Sequence, residues 1–68
     1  MNLKVKLKRI EKGFKQIELA EKVGITPQYL RLIEIGQANP TKDIMKKISE
    51  ILETSADELF FQDVKEVK

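Results

Sequence analysis

The chain has 68 residues, which is enough for one domain with a small core. It contains no cysteine or histidine, so it cannot form a disulfide, and we expect no structural zinc site. No apolar run reaches the roughly 18 residues of a membrane span, and no apolar segment follows the first charged residues as in a signal peptide. We therefore expect a cytoplasmic protein without a membrane-spanning helix.

The net charge is only +2, but positive charge is concentrated near the N-terminus. Residues 1–15 carry six basic side chains and one acidic one, whereas residues 37–68 carry five lysines and seven acids. A basic segment of this kind fits either a polyanionic partner or an ordinary solvated helix face. The charge pattern alone therefore does not identify a nucleic-acid-binding protein.

The first predicted helix spans about residues 2–12, because Leu3, Leu7 and Ile10 recur at helical spacing as one apolar stripe. Asn2 is the expected N-cap, and Gly13 is the expected left-handed residue that ends this helix.

The second helix is predicted from Gln16 to about residue 23, with Ile17, Ala20 and Val23 on one face. A third helix, from Thr26 as N-cap to about residue 35, completes a pair joined by a tight turn. A helix-turn-helix needs small or apolar residues at fixed offsets, and the chain has them at Ala20, Gly24, Ile25, Leu30 and Ile33. Such a pair fits the major groove of DNA, although an ordinary helical hairpin in a small bundle gives the same spacing.

After the break at Asn39-Pro40, Thr41 is expected to cap a fourth helix over about residues 42–53. Residues 55–58 match a capping box and predict a short fifth helix. Helical apolar spacing without strand patterns predicts an all-α fold. We assign residues 1–62 to the domain and residues 63–68 to a C-terminal tail.

Residues 5–36 resemble the Xre family, also called the Cro/CI family of phage-type repressors. The matching positions are Lys8-Arg9-Ile10, Gly13, Gln16, Glu18-Leu19-Ala20, Lys22-Val23-Gly24, Thr26, Glu34 and Gly36, and the pattern continues through Asn39-Pro40-Thr41 to Asp57-Glu58-Leu59-Phe60. The resemblance implies a five-helix, lambda-repressor-like DNA-binding domain with its helix-turn-helix at residues 16–35. It also implies that the third helix is the recognition helix and that two chains bind double-stranded DNA as a dimer.

Two groups of residues are expected to contact DNA. Phosphate contacts are assigned to Gln16 at the start of the second helix, to Lys15 beside it, and to Gln37, Asn39 and Lys42 before and at the start of the fourth helix. Base contacts are assigned to the outward face of the third helix, and Gln28 is the best base reader because an amide pairs with adenine through two hydrogen bonds. The other expected contacts on that helix are Thr26, Pro27, Tyr29, Arg31 and Leu32.

Some of these residues have alternative interpretations. Tyr29 could instead pack against the fourth helix, Arg31 could pair with a surface acid, and Leu32 could be partly buried. The resemblance also implies that Arg9 and Glu34 form a partly buried ion pair that is structural. Exposed aromatic residues on so small a domain indicate a partner, so we expect the dimer interface to contain Leu59, Phe60, Phe61 and Val64.

These observations predict a sequence-specific DNA-binding transcriptional regulator, a repressor that binds a palindromic operator as a homodimer. A restriction-modification controller or an antitoxin would share the same fold, and a protein-interaction module that has lost DNA binding is the alternative of another class. Catalysis is not expected, because histidine, cysteine and a glycine-rich phosphate loop are all absent. We expect no cofactor and no small-molecule effector.

Overall fold

The computed structural model describes residues 3–61 and is entirely helical in its regular structure over that range. The helices are α1 (Leu3–Glu11), α2 (Gln16–Val23), α3 (Pro27–Glu34), α4 (Lys42–Leu52) and α5 (Asp57–Phe61). The last of these is a single turn with π-helical hydrogen bonding. The all-α, five-helix prediction is confirmed, whereas the predicted Asn2 cap and the tail at residues 63–68 lie outside the described residues.

One core unites all five helices. Its buried apolar side chains are Val5, Leu19, Ala20, Val23, Leu30, Ile33, Ile48, Leu52 and Leu59. Leu59 is only 2% exposed, so its assignment to a dimer surface is wrong, because α5 uses this side chain to close the core of its own domain.

The turn between α2 and α3 has the predicted geometry. Gly24 lies in the left-handed region at φ 89°, and its N–H donates to the Ala20 carbonyl at 2.9 Å. The Ile25 N–H donates to the same carbonyl at 3.0 Å, and the Ile25 side chain packs against the core. Glycine takes this conformation at little cost because it has no Cβ, so a turn of only three residues separates α2 from α3.

The predicted apolar stripe of α1 does not face the core. Leu3, Leu7 and Ile10 are 48%, 62% and 54% exposed, whereas Val5 and Arg9 are buried on the other side of the helix. Ile17, predicted on the same face of α2 as Ala20 and Val23, is 60% exposed, whereas Ala20 and Val23 are buried. Apolar periodicity locates a stripe on a helix, but contacts with distant helices decide which side is covered.

The connection from α4 to α5 is tied to the end of α1. Glu53 ends α4 in a left-handed conformation at φ 57°, and its carboxylate accepts a hydrogen bond from Lys12 at 2.9 Å. This hydrogen bond, together with the positive charge of Lys12, lowers the pKa of Glu53 below its usual value. Ser55 then accepts a hydrogen bond from the Glu58 N–H at 3.1 Å, which forms the predicted cap of the last turn.

Candidate nucleic-acid interface

The N-terminal half of α3 presents a polar face to solvent. Thr26, Pro27, Gln28 and Arg31 are exposed, whereas Leu30 and Ile33 are buried and hold the helix on the core. The Thr26 hydroxyl accepts a hydrogen bond from the Tyr29 N–H at 3.0 Å, and Pro27 occupies the first helical position, where its missing N–H costs nothing. The helix therefore exposes this polar face to solvent while its opposite face stays packed on the core.

Tyr29 and Leu32 are half-buried rather than fully outward-facing. The Tyr29 ring packs against the core cluster, which agrees with the packing alternative but leaves part of the side chain accessible. Leu32 also agrees with its alternative of partial burial. These two residues border the exposed face of α3, which Gln28 and Arg31 dominate.

The start of α2 differs from those of α3 and α4 because the side chain of its N-cap residue accepts no hydrogen bond from the helix. Lys15 occupies the N-cap position without a side-chain hydrogen bond to the helix, while the Glu18 carboxylate accepts one from the Lys15 N–H at 2.8 Å. The first N–H groups of a helix have no partner within the helix, and the helix dipole is positive there. This end of α2, with an exposed lysine beside it, has the chemistry of an anion-binding position.

Gln16, the first residue of α2, is half-buried and anchored. Its side-chain nitrogen donates to Glu34 Oε1 at 2.9 Å. One of the two N–H groups of this amide therefore already binds the end of α3, so the side chain assigned to a phosphate is not wholly free. The second N–H group remains for another acceptor, and the bond to Glu34 fixes the start of α2 relative to α3.

The predicted ion pair between Arg9 and Glu34 is confirmed. Arg9 Nε donates a hydrogen bond to Glu34 Oε2 at 2.7 Å, and Arg9 Nη2 donates a second one to Glu34 Oε1 at 3.3 Å. Arg9 also donates to the Phe14 carbonyl at 3.0 Å. The two side chains are 8% and 2% exposed. The pair joins α1 to the end of α3, and Gln16 extends it to α2, so three helices meet at a single carboxylate.

The segment before α4 places further polar residues at the surface. Gln37, Asn39 and Lys42 are exposed, and the Thr41 hydroxyl caps α4 by accepting a hydrogen bond from the Ile44 N–H at 3.3 Å. Asp43 lies in the first turn of α4, as Glu18 does in the first turn of α2, so each helix start carries one carboxylate that opposes a bound anion.

Two features of this region were missed at the sequence level. The Glu18 bond to the Lys15 backbone had a signal, since a glutamate three residues after an N-cap is typical of a capping box. The hydrogen bond from Gln16 to Glu34 had no signal in the sequence, because the two residues lie eighteen positions apart in different helices. Within residues 3–61, no group of acidic residues could hold a metal ion, and no helix is long and apolar enough to cross a membrane.

A family model described as Helix-turn-helix matches residues 5–59, which is most of the chain. The chain belongs to the Cro/CI-type helix-turn-helix family. This confirms the resemblance inferred from the sequence, and the match runs from the third residue of α1 through α4 to the third residue of α5. The family is non-enzymatic, which agrees with the prediction that the chain is not an enzyme.

Two curated relatives in this helix-turn-helix family are the HTH-type transcriptional regulator SinR of Bacillus subtilis (strain 168) and that of Bacillus licheniformis. Each is 42% identical over 53 residues, a match that covers 76% of this chain and 48% of the relative. The chain therefore spans about half the length of the curated relatives it matches.

Two solved structures have the same fold. The SinR–SinI protein complex matches with a TM-score of 0.84 and 32% identity, over 98% of this chain and 66% of the matched chain. The N-terminal DNA-binding domain of SinR from Bacillus subtilis matches with a TM-score of 0.74 and 39% identity, over 81% of both chains.

Proposed function

We propose that this chain binds double-stranded DNA in a sequence-specific manner and regulates transcription in the cytoplasm. The observation that carries the proposal is the exposed polar face of α3, with Thr26, Gln28 and Arg31 in solvent while the opposite face is fixed in the core. A short helix held in this way fits the major groove of B-DNA. The similarity to transcriptional regulators supports this proposal.

Within this proposal, Gln28 and Arg31 read base edges, because an amide suits adenine and a guanidinium suits guanine. Pro27 and Leu32 contribute apolar contacts beside them. The phosphate contacts come from the residues at the starts of α2 and α4 and from the side of α3, namely Lys15, Gln16, Thr26, Tyr29, Gln37, Asn39 and Lys42. Phosphate contacts fix the register of the protein on the duplex, whereas base contacts provide specificity.

The proposal includes a homodimer that acts as a repressor. Phe61 is 53% exposed and packs edge-to-face on Phe60, with ring centroids 6.5 Å apart. Beside it lies a groove of about 240 Å³. Its lining residues are Met45, Ala56 and Phe61 together with Lys42, Lys46 and Ser49. This α4–α5 face suits a second copy, whereas Val64, the remaining predicted interface residue, lies outside the described residues. Two recognition helices about 34 Å apart would then bind a palindrome and block access to a promoter.

The salt dependence of DNA affinity tests this function. We expect log K to fall linearly with log salt, with a slope of about −0.9 for each phosphate that the protein neutralises. Replacing Lys15 with glutamine should make the slope shallower by about 0.9, since one contact is lost. The measurement is fluorescence anisotropy on a labelled duplex at several salt concentrations.

Lys22→Gln is the matched control, since Lys22 lies at the opposite end of α2, where its ammonium is 5.9 Å from the centre of the Phe14 ring. This variant should keep the wild-type slope. A wild-type protein without measurable DNA affinity at low salt would contradict the proposal and favour a protein-interaction module.

A further inference from the structure

The outer face of α1 is apolar, although nothing among the described residues covers it. Leu3, Leu7 and Ile10 are each about half exposed or more and lie at i, i+4 and i+7. At 100° per residue these positions form one stripe on the side of the helix opposite to Val5 and Arg9. Single exposed aliphatic residues need no explanation, but a continuous stripe of three on one helix marks an interaction surface.

The surroundings of this stripe extend it into a groove. Leu7 lines a groove of about 230 Å³ between α1 and α5. The other lining residues are Lys4, Lys8, Glu11, Thr54, Glu58 and Leu59. A row of aliphatic side chains beside a shallow groove is the kind of surface that binds the apolar face of an amphipathic helix.

The charges beside the stripe determine the kind of partner. Lys4 and Lys6 flank it on its two sides, and neither has an ion-pair partner among residues 3–61. Two carboxylates also line the groove. That of Glu11 is paired with Lys8 at 3.3 Å, and that of Glu58 belongs to α5, so the three lysines in and beside the groove exceed the two acids by one positive charge. A partner with carboxylates along the edges of its apolar face is therefore favoured over a basic one.

A second copy of this chain is disfavoured on the same face. Packing two such helices together would bring Lys4 and Lys6 of both copies close to each other. Three half-exposed aliphatic side chains also offer far less than the roughly 800 Å² that each partner buries in a standard stable interface. The area fits a short helix better than a second domain.

We propose that the outer face of α1, formed by Leu3, Leu7, Ile10, Lys4 and Lys6, binds an acidic amphipathic helix of another protein. This surface uses none of the residues assigned to DNA, so it provides the domain with a second binding function.

The test uses two synthetic helical peptides. Both carry leucines at i, i+4 and i+7, and the residues flanking this stripe are glutamates in one and lysines in the other. By fluorescence anisotropy, the labelled glutamate peptide should bind the full chain and the lysine peptide should not. Leu7→Gln combined with Ile10→Gln should weaken binding by about tenfold or more, as expected for anchor residues. Ile17→Gln, which removes an equally exposed aliphatic residue from α2, is the matched control and should have no effect.

A charge-reversed variant distinguishes specific binding from nonspecific hydrophobic association. Lys4→Glu combined with Lys6→Glu should lose the glutamate peptide and gain affinity for the lysine peptide. Three outcomes would overturn the proposal. They are equal affinity of both peptides for the wild type, no binding of either peptide, and unchanged binding by the Leu7/Ile10 variant. A change in the sedimentation mass of the Leu7/Ile10 variant without peptide would also overturn it, because the occupant would then be a second copy.

Discussion

Arg9→Ala is expected to lower the free energy of unfolding by about 3–5 kcal/mol, because it leaves the Glu34 carboxylate buried without its counter-charge. Only the Gln16 amide would remain to bind it within the described residues. Small domains have total stabilities of about 5–15 kcal/mol, so this loss removes a large share of the total. Glu34→Ala should have a similar effect, since it leaves the buried Arg9 guanidinium without its carboxylate partner.

The exposed ion pair between Lys12 and Glu53 provides an internal control. Its 2.9 Å distance is close to the 2.7 Å of the buried pair, yet Lys12→Met should lower the unfolding midpoint far less than either buried-pair variant, because solvent screens exposed charges. Urea unfolding followed by circular dichroism measures all three variants. Equal midpoints for the wild type, Arg9→Ala and Glu34→Ala would show that the buried pair does not hold the three helices together.

Gln28→Ala is expected to weaken binding to the best operator by about 1–3 kcal/mol, or about 5- to 150-fold. The loss should be confined to sequences with the base pair that Gln28 reads, because the variant can no longer discriminate at that position. Gln28 is exposed, so the stability of the domain should change by no more than about 0.5 kcal/mol.

Gln37→Ala serves as the comparison for Gln28→Ala, because Gln37 is assigned to a phosphate. It should weaken binding to all duplexes by the same factor and leave the sequence preference intact. Affinities of both variants for a panel of single-base operator changes distinguish the two patterns. If Gln28→Ala behaved like Gln37→Ala, the assignment of Gln28 as a base reader would have to be abandoned.

The sequence predicted those parts of the fold that depend on local chemistry. Gly24 marked the turn because glycine readily takes the left-handed conformation needed there. Thr26, Thr41 and Ser55 marked the starts of α3, α4 and the last turn, because each hydroxyl accepts a hydrogen bond from a nearby backbone N–H. The pairing of Arg9 with Glu34 was predicted from the family resemblance, since no local pattern joins residues that are 25 positions apart.

The predictions that were wrong involve contacts between helices. Leu3, Leu7 and Ile10 form a regular stripe, but the buried side of α1 is the one that carries Val5, which lies in the core, and Arg9, which is paired with Glu34. The partial burial of Gln16 has the same origin, because the Glu34 carboxylate also accepts a bond from its amide. Periodicity gives no information about a buried charge and its partner, so it located the apolar stripe of α1 without showing which side of the helix is buried.

The central claim, that α3 reads the sequence of duplex DNA, is tested most directly by selecting bound sequences from a pool of random duplexes. We expect enrichment of an inverted repeat whose half-sites lie one helical turn apart, with the selected base preference lost at one position of each half-site in Gln28→Ala. A pool that shows no enriched sequence after repeated rounds with folded protein would contradict the claim.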